Sequence, residues 1–231
     1  MRICDIDVKD LKKKYGTPLY IYDINHLKNN MRGYLDYFKS DDYKTEVLYA
    51  SKAFSIKEVL RIAKSDGMSL DCVSLGELYT AKSVEFDFKK IYFHGNNKTK
   101  EELEFAIGNN VGIIVVDNLM ELEEIESIAN ERKKDVNVII RINSGVSAHT
   151  HKFIVTSHID SKFGVLYKSD DYDELFRATG LRKSQLQRLT EYFIKYEGDD
   201  YSSFKNLDYA IEKFNQDHPT EMPLCRDGGY L

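Results

Sequence analysis

Apolar, β-branched runs recur along the first two-thirds of the chain, at residues 46–49, 68–73, 90–93, 112–116 and 137–142. Their centres lie roughly 20–25 residues apart, the length of a strand, a helix and two short loops. Runs such as Gly112-Ile-Ile-Val-Val116 carry no charged residue, which suits strands covered on both faces of a parallel sheet. Each of the first four runs is followed by a helix-start signal. Ser55 precedes Glu58, Ser74 precedes Glu77, Thr99 precedes Glu102, and Asn118 precedes Glu121. In such a box the cap side chain accepts from a free N–H of the first turn, while the glutamate reaches back to the N–H of the cap. Helical apolar spacing follows, as at Val59, Ile62 and Ala63, or at Leu122, Ile125, Ile128 and Ala129. Alternating strands and helices predict an α/β fold with right-handed crossovers, either a doubly wound sheet or a closed barrel. Periodicity leaves both open.

Beyond Val165 the pattern changes. Two helical stretches are expected between residues 170 and 214, one through Leu186, Leu189 and Phe193, the other through Phe204, Leu207, Ile211 and Phe214. Pro219 and Pro223 end any further helix. The expected division is therefore residues 1–165 as a partial barrel and 166–231 as a helical tail. About five strands are countable, or six with an opening segment at 19–22, against the eight or so of a closed barrel.

Composition narrows the function classes. Of 231 residues, 42% are hydrophobic and 31% charged, an ordinary globular balance, and a formal charge of −5 counts against nucleic-acid binding. No apolar run approaches the roughly 20 residues of a membrane span, and the N-terminus has no secretory signal pattern. Three dispersed cysteines, Cys4, Cys72 and Cys225, suggest no disulfide framework. A reducing cytoplasm is the expected location.

One lysine stands out for chemistry. Lys52 follows the apolar run Val47-Leu-Tyr-Ala, at the C-terminal end of a strand, where the catalytic groups of α/β barrels sit. A surface lysine reaching solvent is the plain alternative. Desolvated at that position, the amine would have a lowered pKa and become a nucleophile for an aldehyde.

The segments Tyr15-Gly-Thr-Pro-Leu-Tyr-Ile-Tyr-Asp23, Tyr49-Ala-Ser-Lys-Ala53, Asp71-Cys-Val-Ser-Leu-Gly-Glu-Leu78, His94-Gly-Asn-Asn-Lys98 and Asp160-Ser-Lys-Phe-Gly164 follow one another in order. Together they resemble the diaminopimelate decarboxylases, which use pyridoxal 5'-phosphate on an alanine-racemase-like barrel. Gly145-Val-Ser-Ala-His-Thr-His151 resembles that branch more than the ornithine or arginine decarboxylases. The resemblance implies a (β/α) barrel of the TIM type, incomplete here, with a helical tail. It implies decarboxylation of meso-diaminopimelate to lysine, and Lys52 as the residue that takes the cofactor's aldehyde. Asp71 corresponds to a carboxylate near that lysine, or is a loop aspartate. His94 lines the cofactor pocket, or is a satisfied core histidine. Arg141, inside an apolar strand, is a barrel-interior candidate, since an unpaired buried arginine is too costly.

No metal site is expected. His149, His151 and His158 lack a carboxylate or cysteine at a useful register. Gly228-Gly229 has no following helix to make a phosphate loop, and Arg182, Lys183 and Arg188 read as a solvated face. The second half of the family's barrel supplies a ring-stacking histidine, a glycine-rich phosphate loop and a Glu-x-Gly-Arg segment. None follows Val165 here. Besides a decarboxylase, two readings stay open: a single-domain pyridoxal-phosphate homeostasis barrel, and a non-catalytic protein that binds a full-length homologue. The expected partners are an amino-acid substrate and a second copy or homologue, with no nucleic acid and no membrane.

Overall fold

A computed structural model describes residues 1–41, 44–143, 162–166 and 169–179. The chain opens with a small antiparallel hairpin, β1 (Arg2–Ile3) and β2 (Ile6–Asp7), turned at Cys4 and Asp5 with φ of 48° and 63°. Two helices follow, α1 (Val8–Tyr15) and α2 (Ile24–Tyr37), each capped by an aspartate, Asp7 and Asp23, that accepts from first-turn N–H groups. Residues 19–22, expected as a sixth strand, form none. Their side chains stay exposed, Tyr20 at 87%, and no strand among the described residues pairs with them.

The five apolar runs become β3 (Leu48–Ala50), β4 (Ser69–Cys72), β5 (Ile91–Phe93), β6 (Ile113–Val116) and β7 (Val138–Ile140). They lie side by side in that order, every pair parallel. The crossovers are α3 (Lys57–Ser65), α4 (Leu75–Ser83), α5 (Lys100–Gly108) and α6 (Leu119–Arg132). A further strand, β8 (Ile142–Asn143), pairs in parallel with β9 (Val165–Leu166). Arg141 joins the two ladders. Its N–H donates to Val116 O at 2.9 Å, and its carbonyl accepts from Val165 N at 2.9 Å. β7 and β8 are thus one strand that changes partner at Arg141, and β9 supplies the sixth position. Helix α7 (Asp170–Thr179) then packs back through Tyr172, 1% exposed, beside Val165. The strand–helix alternation therefore runs past residue 165, and the expected helices beyond 180 lie outside the described residues.

Of the four expected caps, three form. Ser74, Thr99 and Asn118 accept from the N–H of Glu77, Glu102 and Glu121, and Thr99–Glu102 is a full reciprocal box. Ser55 does not cap, because α3 starts later, with Ile56 at the cap position.

Strand alternation divides the side chains between two faces. Leu70, Cys72, Ile91, Phe93, Ile114 and Val116 are fully buried, within a core that includes Leu60, Leu78, Leu103 and Ile128 of the helices. Each such side chain contributes about 1.5–3 kcal/mol. The intervening positions, Asp71, Tyr92, His94, Val115, Asp117, Ile139 and Arg141, fall on the opposite face. Exposure on that face is uneven: Ile139 is 46% exposed, whereas Val115 and Asp117 are buried.

Candidate active site

Lys52 leaves β3 in a single 3-10 turn, Ser51–Ala53, at the C-terminal edge of the sheet. Buried Ser51 anchors that turn, donating to Asp71 O at 2.8 Å and lying in hydrogen-bond contact with Glu77. The same carboxylate accepts from Val73 N at 3.1 Å. Glu77 stands at the box position of α4 and does two things at once: one carboxylate oxygen accepts from the Ser74 hydroxyl at 3.0 Å, while the other braces the lysine turn. Lys52 itself is exposed, which corrects the expectation of a desolvated amine: the described strands do not close around it.

Asp71 sits within β4, not in a loop, and pairs in register with Ala50 and Tyr92. Its Oδ1 is buried without a hydrogen-bond partner among the described residues, 3.8 Å from His94 Nε2. His94 follows β5, and its N–H still donates to Cys72 O at 2.7 Å. Its side chain is 35% exposed, so it belongs to the mouth and not to the core. Burial lowers its pKa, and the charges of Lys98, Arg141 and Lys52 push the same way against the pull of Asp71. The net direction favours the neutral imidazole. Neighbouring Cys72 is inert, its thiol pushed up to about 12 by burial.

Arg141 is paired, as its place in the strand requires. Its guanidinium lies 3.6 Å from Asp117 Oδ1 and 4.5 Å from the centre of the Phe163 ring. Asp117, 4% exposed, also accepts from Gly164 N at 2.9 Å. Gly164 has φ +75°, and a Cβ there would sit 2.8 Å from Arg141 O. Only glycine lets residues 162–166 cross so close to the arginine.

The structure brings Lys52, Asp71, His94 and Arg141 together at one edge of one face. Asp117 belongs with them and was missed, although a lone acid closing the run Ile-Ile-Val-Val was a readable signal. Lys98 and Glu121 were seen as motif and cap, with no role; the ion pair between them joins residues 23 apart and has no local signature. Among the described residues no group of three metal-ligating side chains occurs, and His149, His151 and His158 lie outside them. An anionic aldehyde cofactor fits the donor set: an accessible amine, cationic neighbours, and beside them a buried carboxylate oxygen with a free lone pair.

Fold and mouth define a parallel α/β domain of barrel type with a lysine at its C-terminal edge. The family model "Pyridoxal-dependent decarboxylase, pyridoxal binding domain" matches residues 24–187, and the chain belongs to this family. Diaminopimelate decarboxylase of Bacillus methanolicus is 46% identical over 164 residues, 71% of this chain and 38% of that protein. The Bacillus subtilis enzyme is 44% identical over the same length, 37% of its own. Among solved structures, diaminopimelate decarboxylase of M. jannaschii in complex with L-lysine superposes with a TM-score of 0.70 at 35% identity, covering 77% of this chain and 42% of that one. The Helicobacter pylori enzyme, also with L-lysine, gives 0.65 at 32% identity, covering 69% and 40%. The chain spans less than half the length of each. The family's cofactor is pyridoxal phosphate.

Proposed function

We propose that this chain is the cofactor-capturing part of a decarboxylase of the diaminopimelate type, with Lys52 taking the aldehyde of pyridoxal 5'-phosphate. The observation that carries the reading is the convergence of Lys52, Asp71, His94 and Arg141 on one edge of one sheet face. When bound, the cofactor supplies an electron sink for the electron pair left on the substrate carbon as CO₂ departs. The chain's own residues do the rest. Lys52 Nζ is the nucleophile. Asp71 Oδ1, which has no hydrogen-bond partner among the described residues, takes a hydrogen bond or proton at the lysine end of the site. His94, neutral, offers a flat wall that does not repel a cationic ring. Arg141, held by Asp117 and Phe163, adds a fixed positive charge toward an anionic cofactor.

The substrate we infer is meso-diaminopimelate, the partner a second copy or a full-length homologue, and the setting cytoplasmic. The free thiols Cys4 and Cys72 accord with that last point, and no described helix is long and apolar enough to cross a membrane. Phosphate-gripping and ring-nitrogen segments of the family are not found in the sequence after Val165. The 231-residue chain is therefore expected to hold the cofactor weakly. Loss of those contacts should make it release CO₂ at least about 10⁴-fold more slowly than a full-length relative.

The test is borohydride reduction after incubation with the cofactor, followed by peptide mapping, alongside CO₂ release from meso-diaminopimelate. Label on Lys52, absent in Lys52→Ala, supports the reading. Label spread over other lysines and unchanged in the variant would overturn it.

A further inference from the structure

Lys98 is the most deeply buried cation of the mouth, its side chain 1% exposed, and the chemistry above makes no use of it. We infer that Lys98 is a positioning residue, whose ammonium ties the loop carrying His94 to the end of β6 and the start of α6, and so sets His94 and Asp117 relative to each other.

The geometry is specific. Lys98 Nζ donates to Gly95 O at 2.8 Å, to Val115 O at 2.7 Å and to Glu121 Oε1 at 2.6 Å. Three protons meet three acceptors on three chain segments, with none left for a ligand. Gly95, the residue after His94, has φ +127°, and a Cβ there would stand 3.6 Å from Lys98 Cγ. That turn lets the lysine fold back beneath the loop it anchors. Val115 lies two residues before Asp117, so the second bond fixes the strand end that holds Arg141. Glu121, the box residue of α6, faces the ammonium with its side chain 4% exposed instead of reaching back to its cap.

A stabilising pair is the simpler account. Buried ion pairs are poor stabilisers, however, and apolar replacements of similar volume are often no worse. What a methionine cannot do is hold three oxygens at one point. Burial lowers the pKa of Lys98, against the pull of Glu121, Asp117 and Glu102. Burial likewise raises that of Glu121, against Lys98. The groups facing His94 are Asp71, Lys98, Arg141 and Lys52.

The cofactor readout rests on the reading of Lys52 above; the histidine readout does not. In the full chain, Lys98→Met is compared with wild type by thermal melting, by NMR titration of the His94 ring (assigned with His94→Gln) and by the concentration dependence of cofactor capture at Lys52. Loss of the Lys98 charge by itself raises the His94 titration midpoint in Lys98→Met; a positioning role predicts further that capture weakens about tenfold or more, and that Lys98→Arg, which keeps the charge, also shifts the midpoint. A lower melting temperature with unchanged capture, and with a wild-type His94 midpoint in Lys98→Arg, would overturn the inference. Should Lys98→Met not fold, Lys98→Arg decides. It keeps the charge, but its planar fork cannot meet three converging acceptors, so capture must fall, and wild-type capture would refute the role. If the wild type itself captures nothing at Lys52, the reading of Lys52 fails, and the His94 midpoint in the charge-conserving Lys98→Arg decides: a shifted midpoint supports positioning, and a wild-type midpoint refutes it.

Discussion

Gly112 enters β6 where β5 begins, and the space around it allows no side chain. A Cβ there would stand 2.1 Å from Lys89 O and 2.7 Å from Lys89 C, more than about 1 Å inside ordinary van der Waals contact. Both are backbone atoms, so no side chain can swing away. Gly112→Ala must push the start of β6 off β5. That breaks the 2.8 Å bond from Gly112 N to Phe88 O, worth about 1 kcal/mol. The overpacking adds about 1–3 kcal/mol. A total of about 2–4 kcal/mol is a large share of the 5–15 kcal/mol that holds a typical domain. In urea, with a slope of about 1–3 kcal/mol per molar, the midpoint should fall by on the order of 1–2 M. Gly33→Ala is the control. Gly33 lies within α2, a Cβ there would meet nothing within 4 Å, and alanine should gain about 0.5–1 kcal/mol. A Gly112→Ala midpoint within about 0.3 M of wild type, or equal shifts in both variants, would refute the reasoning.

Two further outcomes follow from the caps and from His94. Thr99→Ala should cost about 1 kcal/mol, since it removes a formed box, whereas Ser55→Ala should cost less than about 0.5 kcal/mol, because the buried Ser55 Oγ has no hydrogen-bond partner among the described residues; equal losses in denaturant melts would count against the assignment. His94 has its pKa lowered mainly by burial, so the unfolded state takes up its proton first as pH falls. Its stability contribution is complete above the unfolded value near 6.5 and is lost as pH drops through the lower folded value. His94→Gln should therefore flatten the decline of melting temperature on the acid side of pH 6.5, and an undiminished decline would exclude His94 as its source.

Much of the frame was legible because it is local. The five strands appear within two residues of their apolar runs at either end. Caps at Ser74, Thr99 and Asn118 stand where the box pattern put them, since a cap bond spans only three residues. Lys52 falls at the C-terminal strand edge because it stands two residues past the end of an apolar run. The misreadings share a different origin. Residues 19–22 have strand-like composition but pair with no strand among the described residues. Ser55 has a glutamate at the right distance, but the turn that anchors Lys52 delays the helix.

The amino-acid sequence by itself determined the parallel α/β alternation, the helix starts and which residues share a strand edge. These depend on periods of two and 3.6 residues and on contacts between near neighbours. Tertiary structure alone decided where the cap glutamates point. Glu102 completes its own box, Glu77 braces the lysine turn, and Glu121 meets Lys98. It also decided that Arg141 switches one strand between two ladders and that Asp117 holds it. Carboxylates in identical local patterns differ in partner because Ser51 and Lys98, buried donors distant in sequence, reach Glu77 and Glu121. Exposure of Lys52 is likewise a matter of which described strands stand beside it and not of its neighbours in sequence.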